Sequence, residues 1–261
     1  MLRKCGARGS MKKRNILTAL LFLILVPATI IGGVVFLNDR KYYFISLLLV
    51  IYTMIPFFLS FEGRKPKARE IIIIAVLTAI AVAGRAAFFM VPQFKPVVAL
   101  IIIAGVCFGG ETGFLAGSMT ALVSNFFFGM GPFTPWQMFC LGIIGYLAGV
   151  LTEKGVLKKT KPSLCIFGGL STFIIYGGIM DLSSVLAWAG SLSWELVAVT
   201  YAAGLPFNVV HSASTVIFLL LLAKPMLDKL ERIKTKYGLI QTQSCCKPVE
   251  RAFLSGTRSR N

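Results

Sequence analysis

The sequence predicts an all-α, polytopic membrane helix bundle of about eight transmembrane helices, on three observations. Of 261 residues, 56% are hydrophobic and only 14% charged, where a soluble domain carries roughly 25% charge, and the mean hydropathy is +0.80. Apolar runs recur along the chain at the length of about 20 residues that a hydrocarbon layer about 30 Å thick demands of a helix. The 27 Lys and Arg, against 10 Asp and Glu, concentrate on alternate connections between those runs.

Taken in order, a basic head with Lys12-Lys13-Arg14 leads into the first span, residues 16–37. It is similar to a signal peptide, but its apolar run is too long for an h-region and lacks an Ala-x-Ala site, so an uncleaved helix is expected. Met11 is an alternative start. The second span is 42–61. The stretch Glu62-Gly63-Arg64-Lys65-Pro66-Lys67 then breaks helix with Gly and Pro and sets apart a head and accessory hairpin, residues 1–62. Six spans follow in a core of residues 68–226, at 71–91, 96–109, 112–128, 135–152, 164–186 and 203–223. The second of these is short and stops at Gly109-Gly110. Residues 187–200, with Trp188 and Trp194, read as a long external loop, and 227–261 as a basic cytoplasmic tail with no apolar periodicity beyond Leu239, hence disordered.

Basic loops resist translocation, so the charges orient the bundle. With the N-terminus in the cytoplasm, six basic residues precede residue 16, four lie in 62–70, four in 153–163 and nine after 223, all inside; Arg40, Lys41 and Lys95 are outside and Arg85 is within a span. Eight spans with both termini cytoplasmic, in a plasma membrane, explain the charge with membrane lipid as the partner and without nucleic acid. The six cysteines have no CxxC or metal spacing. Packing accounts for Cys107, Cys140 and Cys165, with lipidation of Cys245 or Cys246 as the other reading.

Two kinds of motif carry function. Helices in lipid associate through small residues. Ala75, Ala79 and Ala83 form one stripe at spacing four, either internal packing or a docking face for another membrane subunit. Gly105, Gly109, Gly113 and Gly117 form another, repeated by Gly145 and Gly149, and read as helix packing. Intramembrane polar residues are costly and mark functional sites. Arg85, Phe89, Gln93, Asn125, Trp136, Gln137, Tyr176, Asp181, Asn208 and His211 gather toward the external side, the aromatic and hydrogen-bonding mix of a small-molecule pocket. Structural alternatives stand beside them: Trp136 as a membrane-interface residue, Arg85 snorkelling or paired with Asp181, Asn125 as a cap or a bridge between two helices, His211 as a packed core histidine. No GxSxG, HExxH, Walker sequence or carboxylate pair occurs, so no catalysis, metal or cofactor is expected. A stand-alone secondary transporter or permease for a small polar metabolite is the alternative to a binding subunit, although no internal repeat is visible.

The core resembles the substrate-binding S component of energy-coupling factor (ECF) transporters. The resemblance rests on Ala75-x-x-x-Ala79, on Gly109-Gly110-Glu111-Thr112-Gly113-x-x-x-Gly117, and on the stretch from Asn125 to Gln137 containing Gly131-Pro132-Phe133-Thr134-Pro135-Trp136-Gln137. It implies an S-component-like six-helix core that captures a vitamin or related micronutrient outside. The core would then topple against a transmembrane coupling subunit driven by two ATPase subunits, with Ala75, Ala79 and Ala83 as the docking surface. The Pro-Phe-Thr-Pro-Trp-Gln stretch is most similar to members assigned to cobalamin or related compounds. The two extra N-terminal helices depart from the family pattern.

Overall fold

A computed structural model describes residues 48, 51–52, 54–55, 68–131, 133–188 and 193–236. The first span, most of the accessory hairpin and the tail beyond Lys236 lie outside the described residues, and with them the expected eight-helix count. All regular structure among the described residues is helical: α1 (Ala68–Ala87), α2 (Val97–Phe108), α3 (Gly110–Phe128), α4 (Thr134–Glu153), α5 (Lys161–Ser171), a π-helical turn (Thr172–Gly177), α6 (Gly178–Trp188) and α7 (Trp194–Lys236). As α5, the π turn and α6 run on as one rod, the core is six rods. Three of them are long and apolar enough to cross a membrane, Thr134–Glu153, Lys161–Ala187 and Trp194–Lys236.

The short second core span is the centre of the bundle. Pro96 precedes α2 and Gly109 ends it, so its 12 residues extend only about 18 Å. Its sequence, VVALIIIAGVCF, is apolar on every side, as expected of a helix with no solvent face. Every residue from Val97 to Cys107 is buried, with α1, α3, α4, α5 and α7 packed around it. Hydrophobic length is therefore unnecessary, because neighbouring helices rather than lipid surround it.

Glycine sets how closely α2, α3 and α4 approach. Gly109, at φ 95°, reverses the chain between α2 and α3 in a conformation that side chains with a Cβ resist. Beyond it, a Cβ on Gly113 would overlap the Gly145 carbonyl and one on Gly145 would overlap the Gly113 carbonyl; Gly105 meets Gly145, Gly149 meets Gly110, and Gly117 meets the Leu141 carbonyl. The spacing-four glycines thus form a seam of backbone against backbone, the device available to helices that have no hydrophobic drive to associate in lipid.

Two boundaries differ from expectation. The segment 187–200 is not a long loop: α6 reaches Trp188 and α7 already begins at Trp194. Polar and interfacial residues there (Trp194, Glu195, Thr200, Tyr201) lower hydropathy without lowering helix formation. At its other end α7 runs through residues assigned to the tail, to Lys236. There Lys159 in the α4–α5 connection pairs with Glu231 at 2.6 Å, and Lys234 Nζ donates to the Cys107 carbonyl at 2.8 Å, filling an acceptor that the end of α2 leaves open.

Candidate substrate-binding site

At the opposite end, the α1–α2 and α3–α4 connections form a rim, and beneath it the intramembrane polar residues assemble. Asn125, on the last turn of α3, is fully buried and uses its whole amide. Its Oδ1 accepts from Arg85 Nη1 of α1 at 2.9 Å, and its Nδ2 donates to Thr134 Oγ1 at 3.1 Å and to Gln137 Oε1 at 2.9 Å, both on α4. Arg85 Nη1 also donates to Ser124 Oγ at 2.6 Å. The guanidinium carbon lies 5.1 Å from the Phe128 ring centroid, and Phe89 stacks on that ring at 5.1 Å. Buried polar groups need partners, and one asparagine here ties three helices together.

The rod α5–α6 adds Tyr176 from inside the π turn. A π turn shifts register by one residue and recurs at functional sites. Here it presents the Tyr176 ring edge-on to His211 of α7, centroids 4.7 Å apart, and brings the phenol into interaction with Gln137. Thr172, which opens the turn, bonds back to the Gly168 carbonyl at 2.7 Å and across to Thr215 Oγ1 at 3.2 Å. His211 is buried. The α1–α2 connection is held down from two sides: Ser214 Oγ of α7 accepts from the Lys95 amide and donates to the Lys95 carbonyl, and Phe88, Phe94 and Phe218 pack ring against ring at 5.2–5.7 Å. Gln93 sits in this connection at φ 57°, half-buried.

Arg85, Asn125, Gln137, Tyr176 and His211 are therefore one neighbourhood, with Phe89 above Phe128. Trp136 is buried beside Met54 and Phe114, and its Nε1 has no hydrogen-bond partner. Asp181 and Asn208 stand apart from this cluster. Asp181 does not pair with Arg85. It accepts from Asn208 Nδ2 at 2.7 Å on the α6–α7 face, in a cleft of about 450 Å³ lined also by Phe173, Ile174, Tyr201 and Leu205. Ser124 and Thr172 were not among the residues the sequence singled out, and Thr134 was named only within the Gly131–Gln137 stretch. Their signal is a hydroxyl inside an apolar helix, which is common, since such groups can bond their own helix backbone.

Removing the amide from the Asp181 pair should be measurable. Asn208→Ala leaves a half-buried carboxylate without its donor, so a loss of about 1 kcal/mol is expected, read as a lower midpoint in thermal unfolding of the detergent-solubilised protein. An unchanged midpoint would show that the pair contributes nothing.

Apolar rods enclosing a buried polar cluster at one end define the class, a membrane helix bundle. Residues 65–227, more than half of the chain, match the family of the S component of ECF-type riboflavin transporters, and the chain belongs to that family. It is thus a multi-pass membrane protein and a substrate-binding subunit for vitamin uptake, of the riboflavin type. No curated protein and no solved structure matches it.

Proposed function

We propose that this chain captures a flavin-type vitamin at the rim and delivers it through a separate membrane coupling subunit and two ATPase subunits. The observation that supports this reading most is the Asn125 hub, which fixes Arg85 and Gln137 beneath the rim and beside the aromatic rings of Phe89, Phe128 and Tyr176. A planar heteroaromatic ligand needs such rings to stack on and such fixed polar groups to read its edge. On this reading the rim faces outside, both termini are cytoplasmic, residues 68–226 are the binding core, and residues 1–62 are an accessory. Cobalamin and related corrinoids, suggested by the Pro132–Gln137 stretch, are the competing ligands.

Titrating purified protein with riboflavin, followed by quenching of flavin fluorescence, should give saturable one-to-one binding, with corrinoids failing to compete. Saturable corrinoid binding without flavin binding would reject the flavin assignment. Ala75, Ala79 and Ala83 are exposed along α1, as a docking stripe requires. Ala79→Leu should then abolish ATP-dependent uptake in proteoliposomes containing the partner subunits, with riboflavin affinity within about twofold of the parent, because added bulk separates helices that approach through small residues. Uptake by this chain alone, driven by an ion gradient, would instead support a secondary transporter.

A further inference from the structure

Among the described residues the cluster beneath the rim is cationic and holds no acid. A guanidinium offers five N–H donors; Ser124 and Asn125 take two of them through Nη1, and among the described residues Nε and Nη2 meet no acceptor. Lys95 is half-buried, with its backbone clamped on Ser214 by two hydrogen bonds and, among the described residues, no acceptor at its ammonium. No carboxylate among the described residues lies within 4.0 Å of either cation, the ion pair found there being Lys159–Glu231 at the far end. Asp181, the acid of the neighbouring rod, is engaged by Asn208. The fold brings the neighbours of the two residues together, since a Cβ on Gly84 would lie 2.6 Å from Pro96 Cγ, and burial first, then the Arg85 charge, lowers the Lys95 pKa from its ordinary value. His211 is also within electrostatic range of Lys95.

Two like charges at one rim, half-buried and with no carboxylate among the described residues to offset them, are unfavourable in the unliganded protein. Neutral ligands relieve this little, because a hydrogen-bond acceptor without charge leaves the repulsion in place. An anion relieves all of it, with charge-assisted bonds to the idle Nε and Nη2 donors and to the ammonium. The clamp on the Lys95 backbone and the tether on Nη1 supply the preorganisation that such a receptor needs.

We infer that Arg85 and Lys95 form a receptor for an anionic substituent, a phosphate or carboxylate, carried by the captured vitamin, so that the chain prefers the charged form of its ligand over the neutral one. This rests on the substrate-capture reading but not on the ligand being a flavin.

The test compares matched pairs on the purified full-length protein: riboflavin with riboflavin 5′-phosphate, pyridoxine with its 5′-phosphate, and pantothenol with pantothenate. In whichever pair binds, the anionic member should be tighter by on the order of ten- to a hundredfold, and that advantage should shrink as salt is raised. Lys95→Gln should bring the two affinities close together, and Lys95→Arg should restore the difference. Binding of another pair with this preference, and of neither flavin, rejects the flavin assignment and upholds the receptor. Equal or weaker binding of the anionic member in every pair overturns the receptor, whatever the ligand. The wild-type comparison and its salt dependence need no variant to fold. Repeating it in phospholipid nanodiscs separates a lipid source of phosphate: a preference present in detergent and abolished by phospholipid would assign the two cations to a headgroup and overturn the inference.

Discussion

Gly145→Val is expected to prevent the core from assembling. The added side chain would start where the Gly113 carbonyl already lies, with Ile101 Cγ2 2.9 Å from the Cβ position, and neither backbone nor a packed core isoleucine can move aside cheaply. Overpacking a core costs about 1–3 kcal/mol and occasionally more. Here the obstacle is backbone on a seam shared by α2, α3 and α4, so the effect should lie at or above about 3 kcal/mol. Size-exclusion profiles and thermal unfolding in mild detergent should show aggregated or strongly destabilised protein. Gly178→Ala is the matched contrast. That glycine is helical, at φ −59°, with nothing within 4 Å of its Cβ position, so alanine should be neutral or stabilising by about 0.4–1 kcal/mol. Equal behaviour of the two variants would mean that the seam is not what brings the helices together.

The second large effect is expected at Asn125. Replacement by Leu, similar in size, removes an acceptor from Arg85 and two donations to Thr134 and Gln137 in a site without water access at Asn125 itself. Each stranded buried group costs about 1–3 kcal/mol, and Arg85 and Gln137 would lose the positions from which they meet a ligand. Riboflavin affinity should fall by about a hundredfold or more. Asn125→Asp tells charge from geometry: it keeps the acceptor and gives Arg85 a counter-ion, but when ionised it can donate to neither α4 partner. It should bind better than the Leu variant and worse than the parent. If the Leu variant kept parental affinity, the hub would be a packing device and the ligand would sit elsewhere.

Much of this architecture was legible because lipid penalises polarity and bulk so sharply. An arginine, an asparagine and a histidine within apolar spans stand out at once, and glycines four apart identify the closely packed faces before any helix is placed. What stayed hidden was which faces meet. The spacing of Arg85, Asn125 and Asp181 places all three toward one side of the membrane, but rotation about each helix axis decides the partners. Rotation turned Arg85 toward Asn125 and Asp181 toward Asn208. The π turn was hidden for the same reason: one extra residue in a turn alters no composition, yet it decides that Tyr176 faces His211. The start of α7 was missed because hydropathy reports contact with lipid, not helix formation, and Trp194 begins a helix while 88% exposed.

The length of α7 has a mechanical consequence. At about 1.5 Å per residue, its 43 residues amount to about 65 Å, some twice the thickness of the oily layer. No tilt within the ordinary range of 0–40° can hide that much rod in the membrane. The final helix must therefore outrun the oily layer, and because Leu227 and Leu230 are buried in the core and Lys234 is bonded to the end of α2, its overhang is braced by the bundle rather than left hanging.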